Sequence, residues 1–195
     1  KLYCSYKLGD YSSSLTQAIN HLSEWAKTWQ LRIANSKCIA HIISTAKSSK
    51  GECRYAIDDF KLDWSDCTRD LGVYVDNDLK FVQHISKITH LAHTRSYLIL
   101  KSFLTRNPVV LVKAFCTYVG PVLEYCRPTP IWSPHHINLI NKIENVQRRF
   151  TKKLYCMSNI FYKDRLVSLK LDSLKNRRVK QDLVMCYKII NVLNV

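Results

Sequence analysis

The sequence contains little glycine and proline and no long apolar run. Only four of its 195 residues are glycine and five are proline, which excludes a Gly-rich or Pro-rich low-complexity polymer. No apolar run approaches the roughly 18 residues that a membrane span needs, and no signal-peptide pattern opens the chain. A hydrophobic fraction of 47% argues against disorder. We therefore expect a folded chain in the nucleus or cytoplasm, with no membrane partner.

Cysteines at metal-binding or redox spacing are also missing. The eight cysteines stand alone at wide intervals, with no Cys-x-x-Cys and no Cys/His run at zinc-ligand spacing. We expect free, buried thiols and no metal bound by this chain. His84, His90 and His93 could share one helical face, where the preferred interpretation is a solvated surface and the alternative is a metal site.

Acidic residues are scarce in the second half of the chain. Residues 1–98 hold 13 Lys and Arg against 10 Asp and Glu, whereas residues 99–195 hold 17 against 5. Most of the net charge of +15 therefore falls in residues 99–195. This distribution favours a polyanion partner, either nucleic acid or an anionic membrane, and leaves a solubilising surface excess as the alternative.

The first part of the chain mixes helical and strand-like patterns. An amphipathic helix is predicted over residues 14–30, with Trp29 in the core. Its apolar positions are Leu15, Ile19, Leu22, Ala26 and Trp29. Short strand-like runs follow around 31–33, 38–43, 55–57 and 71–75, with a polar loop over 44–54.

From about residue 82 the periodicity is helical. Asn107-Pro108 predicts a helix start, because proline fits the first turn and asparagine can cap it. Gly120-Pro121 should end that helix, and further helices are predicted from Ser133-Pro134 and from near Ser173. We therefore predict an α+β fold, mostly α, with domains at 1–81 and 82–195.

Four phrases span nearly the whole chain in a fixed order. They are Leu22-x-x-Trp25-x-x-x-Trp29 through Lys37-Cys38; Asp70-Leu71-Gly72-Val73; Thr117-Tyr118-Val119-x-Pro121 with Trp132-Ser133-Pro134; and Ile143-Glu144-x-Val146-Gln147-Arg148-Arg149-Phe150. This series resembles reverse transcriptases of LINE-type (non-LTR) retrotransposons. The resemblance implies the remnant of a palm sheet followed by a helical thumb, within an RNA-directed DNA polymerase. Its partners would be an RNA template, a DNA primer and the missing N-terminal palm and fingers.

Two departures from the family pattern leave other interpretations open. Gly120 stands where the family usually has arginine, and the connection over residues 126–131 is longer than usual. The alternatives are natural drift and a degenerate element copy without activity. A basic helical nucleic-acid-binding module is a further alternative. Trp132, just before a predicted helix, is expected to pack the thumb together.

The resemblance places the catalytic aspartates before the first residue of this chain. In the family, Lys-Leu-Tyr follows shortly after an aromatic-Ala-Asp-Asp turn, and here Lys1-Leu2-Tyr3 opens the chain. Asp58-Asp59 superficially echoes that turn, but it follows the Trp25–Lys37 phrase instead of preceding it, so we expect a solvated acidic loop. We expect no polymerase activity from this chain alone, and we expect the Mg²⁺ of the intact polymerase to be held elsewhere.

The resemblance also implies roles for two short segments. Lys37 would lie near the incoming triphosphate, where a cation could stabilise the departing pyrophosphate, and an ordinary exposed turn lysine is the alternative. Leu71, Gly72 and Val73 would form the primer grip, where glycine lets the backbone approach the primer closely. A plain β-turn glycine is the alternative there.

Two basic clusters in the predicted thumb would bind the nucleic acid. They would neutralise phosphates without reading sequence, although some arginines could instead pair with Glu144 or Asp182. The first cluster is Lys142, Arg148, Arg149, Lys152 and Lys153, and the second is Arg177, Arg178 and Lys180.

Overall fold

The computed structural model describes residues 1–5, 13–44, 55–126 and 132–192. The chain divides into two compact units, Lys1–Arg69 with Asp76–Asp78 and Asp70–Val75 with Leu79–Val195. Helices dominate and the sheets are small, so the predicted α+β, mostly α fold is confirmed. The segment Leu71–Val73, placed by sequence in the first domain, belongs to the second unit.

The first unit packs one helix against short strands. Helix α1 (Ser13–Thr28) is followed by a 3₁₀ turn, Asn35–Lys37. Its strands are β1 (Ile39–His41), β2 (Ala56–Ile57), β3 (Phe60–Lys61) and β4 (Asp63–Ser65). The hairpin of β5 (Cys67–Asp70) and β6 (Val73–Asp76) spans the division of the chain, because Asp70–Val75 belong to the second unit. Strand β1 pairs in parallel with β4, with Ile39 opposite Asp63, and β2 pairs antiparallel with β3. No strand forms over residues 31–33, which the sequence had suggested.

The predicted core position of Trp29 is wrong. Helix α1 ends at Thr28, so Trp29 lies in the turn beyond it and is largely exposed. The side of the helix that is buried carries Ile19, Ser23 and Ala26. Ser23 accompanies the apolar residues because its hydroxyl donates to Asp58, in the turn between β2 and β3, at 2.8 Å.

The second unit is a helical bundle with one apolar core. Its helices are α2 (Val82–Ser102), α3 (Pro108–Tyr118), α4 (Gly120–Glu124), α5 (Ile137–Lys152), α6 (Tyr162–Ser168) and α7 (Leu174–Val192). Fully buried Ile85, Ile143 and Phe150 lie at its centre, and the rings of Phe115 and Phe150 stack with centroids 4.5 Å apart. These residues occupy the apolar stripes of α2, α3 and α5, which explains why those helices pack together.

Most predicted helix boundaries in this unit are confirmed. Asn107 Oδ1 accepts from Val109 N at 2.9 Å with Pro108 in the first turn, and α3 ends just before Gly120. Helix α5 begins three residues later than Pro134, because Trp132 and Pro134 are buried before the helix starts. Trp132 Nε1 donates to Tyr125 O at 2.9 Å and its ring meets His84 edge-on, which confirms its packing role.

Several remaining expectations concern thiols, loops and membranes. The seven cysteines in the described ranges are free, but none is fully buried, so the prediction of buried thiols is wrong. Three predicted features lie outside the described residues. They are Cys53, most of the predicted polar loop, and residues 127–131 of the long connection. Within the described ranges, none of the helices combines the length and apolar character needed to cross a bilayer.

Candidate nucleic-acid interface

Helices α2 and α5 lie side by side and run in the same direction. Near their N-terminal ends, Lys142 Nζ donates to Ser86 Oγ at 3.1 Å. Two turns further along each helix, Arg149 and His93 line the same groove. Ile143 of α5 is buried in the core, so the neighbouring side of the helix, which carries Lys142 and Arg149, faces outward beside the groove. Amphipathicity thus directs the cations of α5 to the seam with α2.

This seam forms a groove of about 340 Å³, which we call the α2–α5 groove. It is lined by neutral polar and basic side chains, and none of the described residues lining it is acidic. A concave surface lined by positive charges raises the local concentration of anions. The principal lining residues are Ser86, His90, His93, Lys142, Asn145 and Arg149.

The positive charge of the groove affects the pKa of His93. Burial lowers the pKa of His93 below its ordinary value, and the neighbouring positive charges of Arg149 and His90 lower it further. The imidazole is therefore mainly neutral at pH 7. An anion entering the groove would reverse the charge contribution and favour the protonated ring.

The structure divides the first predicted cluster between two faces of α5. Lys142 and Arg149 line the α2–α5 groove, and Lys153 follows Arg149 by one turn. Arg148 points elsewhere: its guanidinium lies over the ring of Tyr162, 5.0 Å from the centroid, and donates to Asn145 Oδ1 at 3.2 Å. Lys152 is exposed without lining the groove.

The second predicted cluster does not form an exposed basic patch. Arg177 pairs with Glu124 at 2.8 Å, and Lys180 pairs with Asp172 at 2.6 Å. Arg178 is only 6% exposed and its guanidinium lies 5.6 Å from the ring centroid of Trp132. The residues were grouped by sequence proximity, whereas the amphipathic character of α7 turns Arg178 toward the core. Arg177 and Lys180 are thus ion-paired, but their partners are not the predicted Glu144 and Asp182.

Glu144 instead caps α7 from inside the bundle. Its carboxylate accepts hydrogen bonds from Leu174 N at 3.3 Å, Lys175 N at 3.0 Å and the hydroxyl of Tyr162. The first two donors are backbone groups at the helix start, which lack partners within the helix. Burial and the hydrogen bond to Glu144 raise the pKa of Tyr162 above its ordinary value, so its hydroxyl remains a donor.

Two further buried polar residues fix the segment between α5 and α7, and sequence reasoning assigned them no role. Gln147 Nε2 donates to Asp172 O at 3.0 Å. Arg165 is buried and donates to Ile160 O at 3.2 Å and Met157 O at 3.4 Å. The position of Gln147 on the apolar stripe of α5 was the available signal, because a polar residue at a core position needs a partner. Arg165 lies in the short helix α6, whose sequence carries no such signal.

The predicted primer-grip segment is a tight turn held by Tyr125. Leu71 and Gly72 both have positive φ, and Leu71 is exposed while Val73 is buried. Tyr125 Oη donates to Leu71 O at 3.1 Å, and a Cβ on residue 72 would lie 3.0 Å from Tyr125 Cε1. The positive φ and the close approach of Tyr125 therefore favour glycine at this position, independently of any primer.

Lys37, the predicted triphosphate-side residue, and Asp58, which was not expected to be catalytic, both lie in the first unit. Lys37 ends the 3₁₀ turn and is exposed. Asp58 accepts from Lys27 Nζ at 2.8 Å as well as from Ser23, and the hydrogen bond from Lys27 is the main cause that lowers the pKa of Asp58. Asp58 and Asp59 are exposed in this turn, as expected of a solvated acidic loop, and Asp58 in addition ties the turn to α1.

The described residues do not fit a metal centre. No group of three or more His, Cys, Asp or Glu side chains in the described ranges could hold a metal ion. His84 is buried against Trp132, whereas His90 is exposed, so the three histidines of α2 do not share one face. Asp58 is already bound by a lysine and a serine.

Comparison with known proteins adds one relative and no function. No known protein family matches the chain, and no solved structure matches it. The chain is similar to an uncharacterized protein of Caenorhabditis elegans, with 29% identity over 126 residues. The match covers 63% of this chain and 62% of that protein, so the chain spans less than two thirds of its relative.

Proposed function

We propose that this chain is the template–primer-binding part of a LINE-type RNA-directed DNA polymerase, and that its second unit holds the nucleic-acid backbone along the α2–α5 groove. The observation that carries the proposal is the groove itself, where Lys142 and Arg149 face His93 and no acidic residue lines the described surface. The ordered phrases of the sequence supply the polymerase assignment. The partners would be an RNA template and a DNA primer, in the nucleus or cytoplasm.

The groove suits a phosphate backbone better than a base-specific contact. Cations at positions 142, 149 and 153 are spread over about 16 Å of helix, at a rise of 1.5 Å per residue. That length matches about five nucleotides of one strand. Cations spaced along a backbone release counterions when they bind and carry no sequence information. Binding should therefore be strong at low salt and indifferent to sequence.

The first-unit residues extend the proposal toward the catalytic centre. Lys37 is exposed on its turn, where it is available to a triphosphate. The Mg²⁺ of the polymerase would be held by carboxylates other than those described, since Asp58 is already bound by Lys27 and Ser23. No catalytic step is assigned to residues of this chain.

The direct test is equilibrium binding of the full chain to an RNA–DNA hybrid, a DNA duplex and vesicles of anionic lipid. We expect both nucleic acids to bind, with affinities that are similar for unrelated sequences and fall steeply with salt. Vesicles should bind weakly, because the cations lie in a groove and not on a flat apolar face. Preferential binding to vesicles, or no binding to nucleic acid at low salt, would contradict the proposal.

A basic helical module with no role in polymerisation is the second candidate. It is favoured by the observation that every residue lining the α2–α5 groove belongs to the second unit. Hydroxyl-radical footprinting on a recessed primer–template separates the two. A polymerase part should protect the duplex next to the primer 3′ end, whereas a general binding module should protect all positions evenly.

A further inference from the structure

We propose that a second groove, at the C-terminal ends of α2 and α5, binds unpaired nucleotides by stacking their bases on Tyr97 and Tyr155. This inference rests on the proposed function, because it supposes that the same nucleic acid occupies the α2–α5 groove. The second groove has a volume of about 540 Å³. This lies within the roughly 300–1,000 Å³ of ligand-binding clefts. We call it the end groove, and its principal residues are Tyr97, Lys101, Leu104, Arg106, Lys153 and Tyr155.

The end groove continues the α2–α5 groove along the same two helices. Tyr97 follows His93 by four residues on α2, and Lys153 follows Arg149 by four residues at the end of α5. Residues four apart lie on the same helix face, about 6 Å further along the axis. A backbone held by Arg149 would therefore reach Lys153 one turn later and enter the end groove.

The chemistry of the end groove differs from that of the α2–α5 groove. Tyr97 is 56% exposed and Tyr155 is 61% exposed, so both side chains are accessible to a ligand in the groove. Lys101, Arg106 and Lys153 supply cations, and the described lining includes no acidic residue. Aromatic rings beside cations are the combination that binds single strands, since bases stack on the rings while the cations neutralise phosphates.

The exposed rings favour unpaired nucleotides over duplex. Within a duplex the faces of paired bases are covered by their neighbours, so away from its ends only unpaired bases can stack on a tyrosine. The fully exposed Leu104, in the connection between α2 and α3, lines the end groove and adds an apolar surface beside the rings. An acidic peptide could satisfy the cations, but it would gain little from two tyrosine faces.

The experiment compares a blunt RNA–DNA hybrid with the same hybrid carrying a short unpaired extension. The full chain and a variant with Tyr97→Ala and Tyr155→Ala are titrated with both probes. The matched control carries Tyr118→Ala and Tyr187→Ala, since these tyrosines are 56% and 69% exposed and lie outside both grooves. A third variant carries Tyr97→Phe and Tyr155→Phe, which keeps the rings and removes only the hydroxyls.

We expect the extension to tighten binding by about tenfold in the unaltered chain. The alanine pair should abolish this gain without weakening the blunt hybrid, whereas the phenylalanine pair and the control pair should keep it. A 2-aminopurine base in the extension should be quenched by the unaltered chain, which tests stacking even if the alanine pair fails to fold.

Three results would overturn the inference. If the blunt hybrid binds but the extension adds no affinity and no quenching, the end groove does not bind nucleotides, and the proposed function stands. If an acidic peptide displaces the extension, and if the affinity for that peptide depends equally on both tyrosines, the end groove binds peptides. If neither probe binds the unaltered chain, the inference and the proposed function fail together.

Discussion

Replacing Glu144 with glutamine should destabilise the helical unit by about 2–4 kcal/mol. The carboxylate accepts from Tyr162, from Leu174 N and from Lys175 N, and it is buried. Glutamine keeps the shape but turns one oxygen into a donor, so at least one of these donors loses its acceptor. An orphaned buried donor costs about 1–3 kcal/mol, and the remaining hydrogen bonds lose their charge assistance.

Urea denaturation followed by far-UV circular dichroism measures this loss. The control is Asp172→Asn, which removes an ion pair with Lys180 between two side chains that are each about half exposed or more. Such a surface pair contributes at most about 1 kcal/mol. If Glu144→Gln costs no more than Asp172→Asn, then the carboxylate does not hold α7 to the bundle, and the reasoning about the buried network is refuted.

Two further predictions test the turn at Gly72 and the charge in the α2–α5 groove. Gly72→Ala should cost about 1–3 kcal/mol, because φ is +87° and the new Cβ would meet the ring of Tyr125. Gly120→Ala, where nothing lies within 4 Å of the new Cβ, should be neutral or slightly stabilising in the same denaturation assay, and equal costs would contradict the account. Hybrid affinity should rise as the pH falls from about 7.5 toward 5, because the pKa of His93 is lowered in the free protein and phosphates would raise it again. His93→Gln should flatten that profile in binding titrations, and an unchanged profile would exclude His93 from the interface.

The helices were predictable because their signals are local. Asn107 with Pro108 marks a helix start by side-chain chemistry and backbone geometry alone, and the structure shows that cap. The apolar stripe of α5 likewise fixes which residues face the core. Helices α4 and α6 and strands β3 to β5 were not predicted, since each has fewer than eight residues and too little periodicity to be recognised.

The candidate site was only partly predictable because charge in a sequence does not show where side chains point. Lys142 and Arg149 were identified as binding residues and do share a groove. Arg178 belonged to an equally basic segment, but tertiary packing buries it against Trp132. The contribution of α2 through His93 depends on the pairing of two helices distant in sequence, which no local pattern indicates.

The central claim is tested most directly by the salt dependence of hybrid binding in two triple variants. One, the groove variant, carries Lys142→Gln and Arg149→Gln in the α2–α5 groove and Lys153→Gln one turn beyond it. The control removes the same charge outside both grooves through Lys113→Gln, Lys163→Gln and Lys188→Gln, all at exposed positions. Each lost phosphate contact lowers the slope of log affinity against log salt by about 0.9 on duplex DNA, so the groove variant should flatten the slope by about two to three units. The control should leave the slope nearly unchanged. Equal flattening in both variants would show that binding depends on overall charge and would contradict the assignment of the α2–α5 groove as the nucleic-acid interface.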